Sequence, residues 1–457
     1  MQNWLLFLNE YLFGVSVPLL LLGTGVYLGH RLGWFPFRHP VRTLRAMLAK
    51  EEGTVNQTSP FRALTMAMAG TLGIGNIAGV ALALVYGGAG AIFWMWCSAL
   101  LAMLIKYAEI LLAVDKRRRT AGGYESAAMF YIQGSRKLSR SAAAVFALCC
   151  LGCSLMMGSV IQSNAVAEVC ERTLGVPPLA SGVALALLTA LVVFGGARKI
   201  SGVTLYLIPL VSLLYVLFSG YIILADWRAL PAVFGRIFRE AFALRPAAGG
   251  VAGFLFSDAL RLGCTRGLLT NEAGCGTAPM AHATADTKVP AKQALWGIFE
   301  VFADTLLLCT LTALVVLLRV DPLPRETGSG MLVVLDAFRT AYGGLADLLL
   351  SVAAFVFVYA TVLCWSYYGT GCLRYFTQKE SSRQGYLCLF CCSIIVGSVS
   401  APALLWGLTD GLLGLMTLIN LTALLSHADR VVSLSRDALP FIGARTRAGG
   451  RRVRRRR

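Results

Sequence analysis

The chain has 457 residues, of which 57% are hydrophobic and only 14% charged, and its formal net charge is +18. A soluble protein of this size needs far more polar surface to cover its core, so a soluble globular domain is excluded. Lys and Arg stand in blocks between apolar runs and at the tail, without a basic groove of interleaved aromatics, so anionic lipid headgroups account for the charge and nucleic acid does not.

Apolar runs of about 20 residues, the length that crosses a bilayer as a helix, recur along the chain. The expected fold class is an all-α polytopic membrane protein with about eleven transmembrane helices. The N-terminus lacks the basic patch and cleavage site of a signal peptide, so the first run, roughly 12–30, is expected to remain as a span. A basic segment with Arg31, Arg38, Arg42, Arg45 and Lys50 follows. The second span, about 62–86, contains Gly70-Thr71-Leu72-Gly73-Ile74-Gly75-Asn76, and the third, about 90–114, ends at a basic run, 115–119. Spans four to six lie near 142–169, 178–195 and 201–224. The seventh, about 249–284, holds a second glycine-rich stretch. The eighth covers about 291–318, the ninth 343–372, the tenth 385–400 and the eleventh 402–425. A single transmembrane domain, 1–430, is thus followed by a basic tail, 431–457. The 13 Cys lie mostly inside apolar runs, with no pair at metal-binding spacing, and read as small buried thiols.

Alternate loops carry the positive charge: 31–50, 115–140, 198–199, 288–292, 374–383 and 430–457 form one set, and 226–245, with four Arg, is the exception. The positive-inside rule then places the N-terminus outside and the C-terminus in the cytoplasm of a bacterial-type plasma (inner) membrane.

Span two gathers Gly70, Gly73, Gly75 and Gly79 around Asn76, and span seven has Gly274, Gly276, Thr277 and Pro279 after Thr270, Asn271 and Glu272. Each glycine weakens a helix by about 1 kcal/mol relative to Ala, and Pro279 removes a backbone donor. In lipid, unwound backbone is tolerated only where it is buried in protein or lines a cavity. Close packing through small residues explains the glycines but not the Asn and Glu beside them. Each break opens a block of five spans, in spans of opposite direction, which gives inverted repeats at about 58–225 and 248–427. At such a pair, half-helix N-termini can face an anionic group and freed carbonyls can hold a cation.

GTLGIGNIAGV (Gly70–Val80), GGAGAIFWMW (Gly87–Trp96), KYAE (Lys106–Glu109), TRGLLTNEAGCGTAPMAHA (Thr265–Ala283), DTLLLCTLTALV (Asp304–Val315), WSYYG (Trp365–Gly369) and LMTLINLTALL (Leu415–Leu425) together resemble the sodium:alanine/glycine symporter family over nearly the whole chain. The resemblance implies a leucine-transporter-like fold: one N-terminal helix, then two inverted five-helix units with two discontinuous helices. It implies import of alanine and/or glycine with Na+ as the coupling ion. The chain departs from the family pattern at Ala89 (usually Pro), Thr270 (usually Ser), Gly158-Ser159-Val160 (usually Gly-Asn-Met) and Thr370 (often an acid). Ser159 stands beside the expected site and bears on substrate preference.

An amino-acid zwitterion needs donors for its carboxylate and acceptors for its ammonium group. The backbone of Gly73 and Gly75 can approach the carboxylate, with Thr71 and Asn76 beside it. Asn76 also suits sodium, because hard cations prefer oxygen; a helix cap is the plainer role. Gln162 and Asn164, amides inside span four, either glue helices or contact substrate, and the resemblance points to substrate, for Gln162 above all. Thr270 and Asn271 open the second break as substrate contacts or local caps, and Asn271 is a further sodium candidate. In leucine-transporter-like folds a sodium sits between the first broken helix and hydroxyls of the span matching span nine, which points to Thr361; back-bonding to a helix carbonyl is the alternative. Trp365 is expected to wall a small side-chain pocket or to pack. Asp304, alone in mid-span, is expected beside a cation or protonated. Lys106 and Glu109, one turn apart, are expected to pair, and Glu272 to satisfy freed backbone or pair with Arg266. His30, His39, His282 and His427 fall near ends or loops and receive no role.

Secondary active symport through alternating access is therefore expected, with a small neutral amino acid and sodium as partners. The alternatives are a proton-coupled carrier or exchanger on the same fold, with Glu272 or Asp304 as the proton-linked acid, and a channel or receptor, which the paired breaks argue against. No nucleophile–base set or metal cluster has workable spacing, so no enzyme is expected. No Walker motif occurs, so ATP-driven transport by this chain is not expected. The sequence leaves the oligomeric state open.

Overall fold

The computed structural model describes residues 16–49, 58–120, 123–243, 258–324, 329–401 and 403–439. Helix α1 (Val17–Leu32) and the short α2 (Pro40–Leu48) precede a broken pair, α3 (Pro60–Thr71) and α4 (Val80–Gly87), joined through a π-helical turn, Gly75–Gly79. Helix α5 (Gly90–Lys116) leads to an antiparallel hairpin, β1 (Arg118–Thr120) and β2 (Gly123–Glu125), and to α6 (Ala128–Ile132). Helix α7 (Arg140–Leu155) continues through a second π-helical turn, Met156–Ile161, into α8 (Gln162–Leu174). Then come α9 (Pro178–Val193), α10 (Gly196–Ala225) and α11 (Leu230–Ala241). The second broken pair is α12 (Asp258–Asn271) and α13 (Ala278–His282). A third π-helical turn, Phe302–Cys309, joins α14 (Pro290–Val301) to α15 (Thr310–Arg319). The chain closes with α16 (Gly330–Tyr342), α17 (Leu345–Phe376), α18 (Glu380–Val399), α19 (Ala403–Ser426) and α20 (Ala428–Ala438).

Described helices lie within each of the segments expected to cross the membrane. Among the described residues seven helices are long and apolar enough to do so, and the α3–α4 pair, bent by 56° at its break, makes eight. The start of the first expected span, 12–15, and of the seventh, 249–257, lie outside the described residues, as do Lys50 and the end of the tail, 440–457. Helix α20 runs across the expected start of the tail. Helices α11 and α16 occupy stretches that the sequence reading left between spans.

Local chemistry sets the ends of these helices. Ser59 accepts the Arg62 N–H at 3.2 Å with Pro60 at the first helical position, which starts α3. Ser139 starts α7 in the same way through the Ala142 N–H. Helix α5 is the central post: α12 and α14 both pack along it. A Cβ at Gly263 would collide with the Ala91 carbonyl oxygen, so the α5–α12 contact depends on a residue without a side chain. A second group forms around α17, which packs against α7, α8 and α9, while α9 pairs with α18 and α19 lies against α7. Helix α10 bridges the groups through α3 and α17. Leu187, Leu191, Leu210, Leu217 and Leu224 are exposed along α9 and α10. A continuous apolar face of that kind is unfavourable in water and matches hydrocarbon as the surrounding solvent.

Candidate functional site

The first break is organised by Asn76. Helix α3 ends at Leu72, whose N–H still reaches the Met68 carbonyl oxygen at 2.7 Å. Beyond it the Gly73 N–H is shared between the Asn76 side-chain oxygen at 3.2 Å and the Thr71 carbonyl at 3.0 Å. The Ile74 N–H points to Gln162 Oε1 at 3.5 Å. The Asn76 amide nitrogen donates to Asp304 Oδ1 at 2.6 Å, and its main-chain carbonyl accepts the Thr312 hydroxyl at 2.9 Å. The freed carbonyl of Leu72 accepts the Thr361 hydroxyl at 3.2 Å, and the same hydroxyl back-bonds to Phe357 at 3.0 Å. A Cβ on Gly73 would stand 2.7 Å from Thr361 Oγ1, so α17 can approach the break only because the residue is glycine. Oxygen atoms of Leu72, Thr361, Asn76 and Asp304 thus stand along the first break, the atom type that hard cations prefer.

The second break turns through Glu272 at φ 51, Gly274 at φ 90 and Gly276 at φ 76. Two of these three left-handed positions are glycine, as a sharp reversal requires. Asn271 donates to the Thr305 hydroxyl at 3.2 Å and accepts the Ala273 N–H at 3.0 Å, while Thr270 back-bonds to Gly267 at 2.9 Å. Thr305 in turn donates to Asp304 Oδ2 at 2.7 Å, so Asp304 is held from both breaks.

Two expected pairings are corrected. Lys106 does not pair with Glu109. It forms a fully buried ion pair with Glu300 at 3.0 Å and donates to the Asn271 carbonyl at 2.6 Å. Glu109 instead accepts the Gly276 N–H at 3.0 Å and the Asn420 amide at 2.5 Å. The cause is the second break, whose loose carbonyl and N–H need buried partners more than two helix neighbours need each other. Glu272 pairs with the Thr277 hydroxyl at 2.6 Å rather than with Arg266, whose guanidinium lies over the Trp406 ring at 6.0 Å. His282, given no role because it falls near a span end or loop, is buried and bonded to Glu300 at 2.9 Å.

Two connected cavities meet the first break. A chamber of about 50 Å³ is lined by Ile74, Gly75, Gln162, Thr270, Arg266 and Trp406. A vestibule of about 740 Å³ shares Ile74, Ile161 and Trp406 with it and extends past Asn164 to Glu168 and Glu171. Of the residues expected to meet substrate, Gly75, Gln162 and Thr270 thus line the chamber, and Gly73 and Asn76, their neighbours at the break, do not. Asn164 lines the vestibule instead and donates to the Ser400 carbonyl at 2.6 Å. Thr71 back-bonds to Met68 at 3.3 Å. Trp365 is fully buried, packed where a Cβ on Gly158 would collide with it, and lines neither cavity. Ser159, one of the departures from the family pattern, is buried and bonded to Ser393 at 2.6 Å. Sequence reasoning missed Glu300, Thr312, Asn420 and Trp406. Glu300 carried the same signal as Asp304, a lone acid in an apolar span.

The model of the sodium:alanine symporter family matches residues 1–439. The sodium/alanine symporter AgcS of Methanococcus maripaludis is 36% identical over 441 residues, covering 93% of this chain and 94% of that protein. An uncharacterised transporter, YflA, of Bacillus subtilis is 33% identical over 439 residues, covering 94% and 92%. Among solved structures, a manganese transporter of Eremococcus coleocola aligns with TM-score 0.50 at 14% identity, over 82% of this chain and 78% of that one, which speaks to fold alone.

Proposed function

This chain belongs to the sodium:alanine symporter family, a family of transporters and not of enzymes, and from that premise we propose that it imports a small neutral amino acid, alanine and/or glycine, together with Na+ by alternating access. The family supports cation-coupled amino-acid symport; alanine or glycine as cargo and sodium as the ion are our finer reading. The observation that carries it is the junction of the two breaks. Asn76 on the first and Thr305, bonded to Asn271 on the second, both hold Asp304, beside a chamber lined by Gly75, Gln162 and Thr270.

In this reading, sodium takes oxygens among Leu72, Asn76, Thr361 and Asp304, and Asn271 acts through Thr305. The substrate lies in the chamber against Gly75, Gln162 and Thr270, with Gly73 next to it in the break. Asn76 links the two events. Its Oδ1 now accepts the Gly73 N–H; when sodium claims that oxygen, the N–H becomes available to a substrate carboxylate. Each ligand then favours the conformation the other needs, which is the requirement for coupling. Asn164 meets the substrate in the vestibule on its way in, and Thr71 and Trp365 shape the site from behind. We further read the chain as eleven spans in one domain, with inverted repeats at about 58–225 and 248–427, the N-terminus outside and the C-terminus cytoplasmic. The two packing groups, around α5 and around α17, each draw helices from both stretches, which supports the inverted-repeat part of that reading.

The test is uptake of labelled alanine and glycine into proteoliposomes with and without a sodium gradient. Uptake that persists unchanged with choline in place of sodium, or that follows a proton gradient alone, overturns sodium symport. The proton-linked alternative draws on Glu272, whose Oε1 is buried without a hydrogen-bond partner.

A further inference from the structure

The chamber beside the first break has one charged side chain in its lining, and it is cationic: Arg266, on α12 one turn before Thr270. Among the described residues no carboxylate forms an ion pair with it within 4.0 Å. The guanidinium rests over the face of Trp406 at 6.0 Å, an arrangement that holds the cation while leaving its N–H groups unspent. The backbone donors at the break do not suffice for a carboxylate: they are committed in the described conformation, and sodium at Asn76 would free a single N–H, that of Gly73. The Gly73 N–H is shared between Asn76 and Thr71, the Ile74 N–H faces Gln162 Oε1, and the Asn76 N–H faces the Gly73 carbonyl at 3.3 Å.

Resting on the reading of this chamber as the substrate site, we propose that Arg266 is the specificity-determining residue that receives the substrate carboxylate. A carboxylate leaving water for a small, mostly apolar chamber needs a compensating cation. A planar guanidinium meets both of its oxygens at once, which a lysine cannot do. Arg266 lines the same small chamber as Gly75, Gln162 and Thr270. This explains why an arginine stands at the mouth of a site for a neutral substrate: the recognised group is the zwitterion's anionic end. The ligand class that follows is a free α-carboxylate amino acid; amides and amino alcohols of the same size are excluded.

The experiment measures binding of labelled alanine to purified protein in sodium, with alanine and alaninamide as competitors. Wild type is expected to prefer alanine strongly. Arg266→Gln should weaken alanine by about 10- to 100-fold, the range for loss of a charge-assisted bidentate contact, and bring alaninamide level with it. Sodium affinity in the absence of substrate should stay within twofold. That convergence is a readout that a merely structural role for Arg266 would not move. Unchanged alanine affinity in Arg266→Gln, or an unchanged preference over alaninamide, overturns the assignment. If the Gln variant is not monodisperse, Arg266→Lys decides: weaker alanine binding with sodium binding intact supports the proposal, and wild-type binding overturns it. If the wild-type protein binds neither alanine nor glycine in sodium, the substrate reading itself fails, a result separate from any outcome in the variants.

Discussion

Asn76 shows how much one neutral side chain can organise. Its amide oxygen caps the Gly73 N–H, its amide nitrogen reaches Asp304, and its main-chain carbonyl accepts from Thr312. Truncation removes a buried donor from Asp304, at a cost of about 1–3 kcal/mol, and cuts the link between cation and substrate. We expect Asn76→Ala to remain folded by gel filtration but to lose sodium-stimulated alanine binding; wild-type sodium dependence in this variant would remove Asn76 from the coupling path. Trp365 leads to a different expectation. It packs against the Gly158 backbone, 5.6 Å from the Tyr368 ring centroid, and touches neither cavity lining. Trp365→Ala should therefore destabilise the fold by about 3–5 kcal/mol while the competition profile among amino acids stays as in wild type. Admission of larger side chains would return it to the chamber wall.

At the scale of elements, α5 acts as a buried brace for the second break. Lys106 and Glu109 each reach across to loose backbone, at Asn271 and Gly276, and Glu300 completes the charge on Lys106 from α14. Removing Lys106 alone leaves the buried Glu300 without its ion-pair partner and held only by His282. We expect Lys106→Met to cost about 3–5 kcal/mol, and the double variant Lys106→Met with Glu300→Gln to recover most of it, because desolvation of the pair offsets much of its Coulomb gain. Thermal unfolding in detergent measures both; a double variant no better than the single would mean that Lys106 acts mainly through Asn271. The same residues mark the limit of what the sequence discloses. Both breaks were legible, because Gly, Asn and Glu have no reason to stand together in an apolar run unless the helix opens there. The partners were not. A spacing of three residues on α5 suggests a local pair, and nothing in one sequence reveals that residues some 165 positions away offer better ones. Helix α11 was hidden for a related reason: its four-arginine neighbourhood reads as a polar loop, yet Glu240 accepts the Ala89 N–H at 2.7 Å and anchors the helix to the start of α5.

The whole molecule has one feature that orients it. The vestibule opens among Glu171, Pro177, Ser329 and Ala401, at the face where α8 meets α9, α16 begins and α18 ends. The basic connections after α5 and after α17 lie on the alternate side of the chain's traverse, the side that the positive-inside rule assigns to the cytoplasm. In the proposed orientation the described conformation is open to the outside, with the chamber beside the vestibule. In the proposed cycle sodium and substrate together close this route, by movement of α8, α9 and the end of α18 against the first break and α4, which face each other across the vestibule. A cysteine placed at Glu171, in a background where the exposed Cys388 and Cys392 are replaced by Ser, reports on that movement. We expect a membrane-impermeant thiol reagent added outside to label it readily in choline, and sodium with alanine to slow the labelling several-fold, whereas sodium alone slows it little or not at all. The coupling argument at Asn76 demands that asymmetry, because the shared closed state is favoured only when both ligands are present. Labelling solely from the cytoplasmic side would reverse the orientation of the molecule, and labelling indifferent to both ligands would mean that the wide cavity is not the path by which substrate reaches the break.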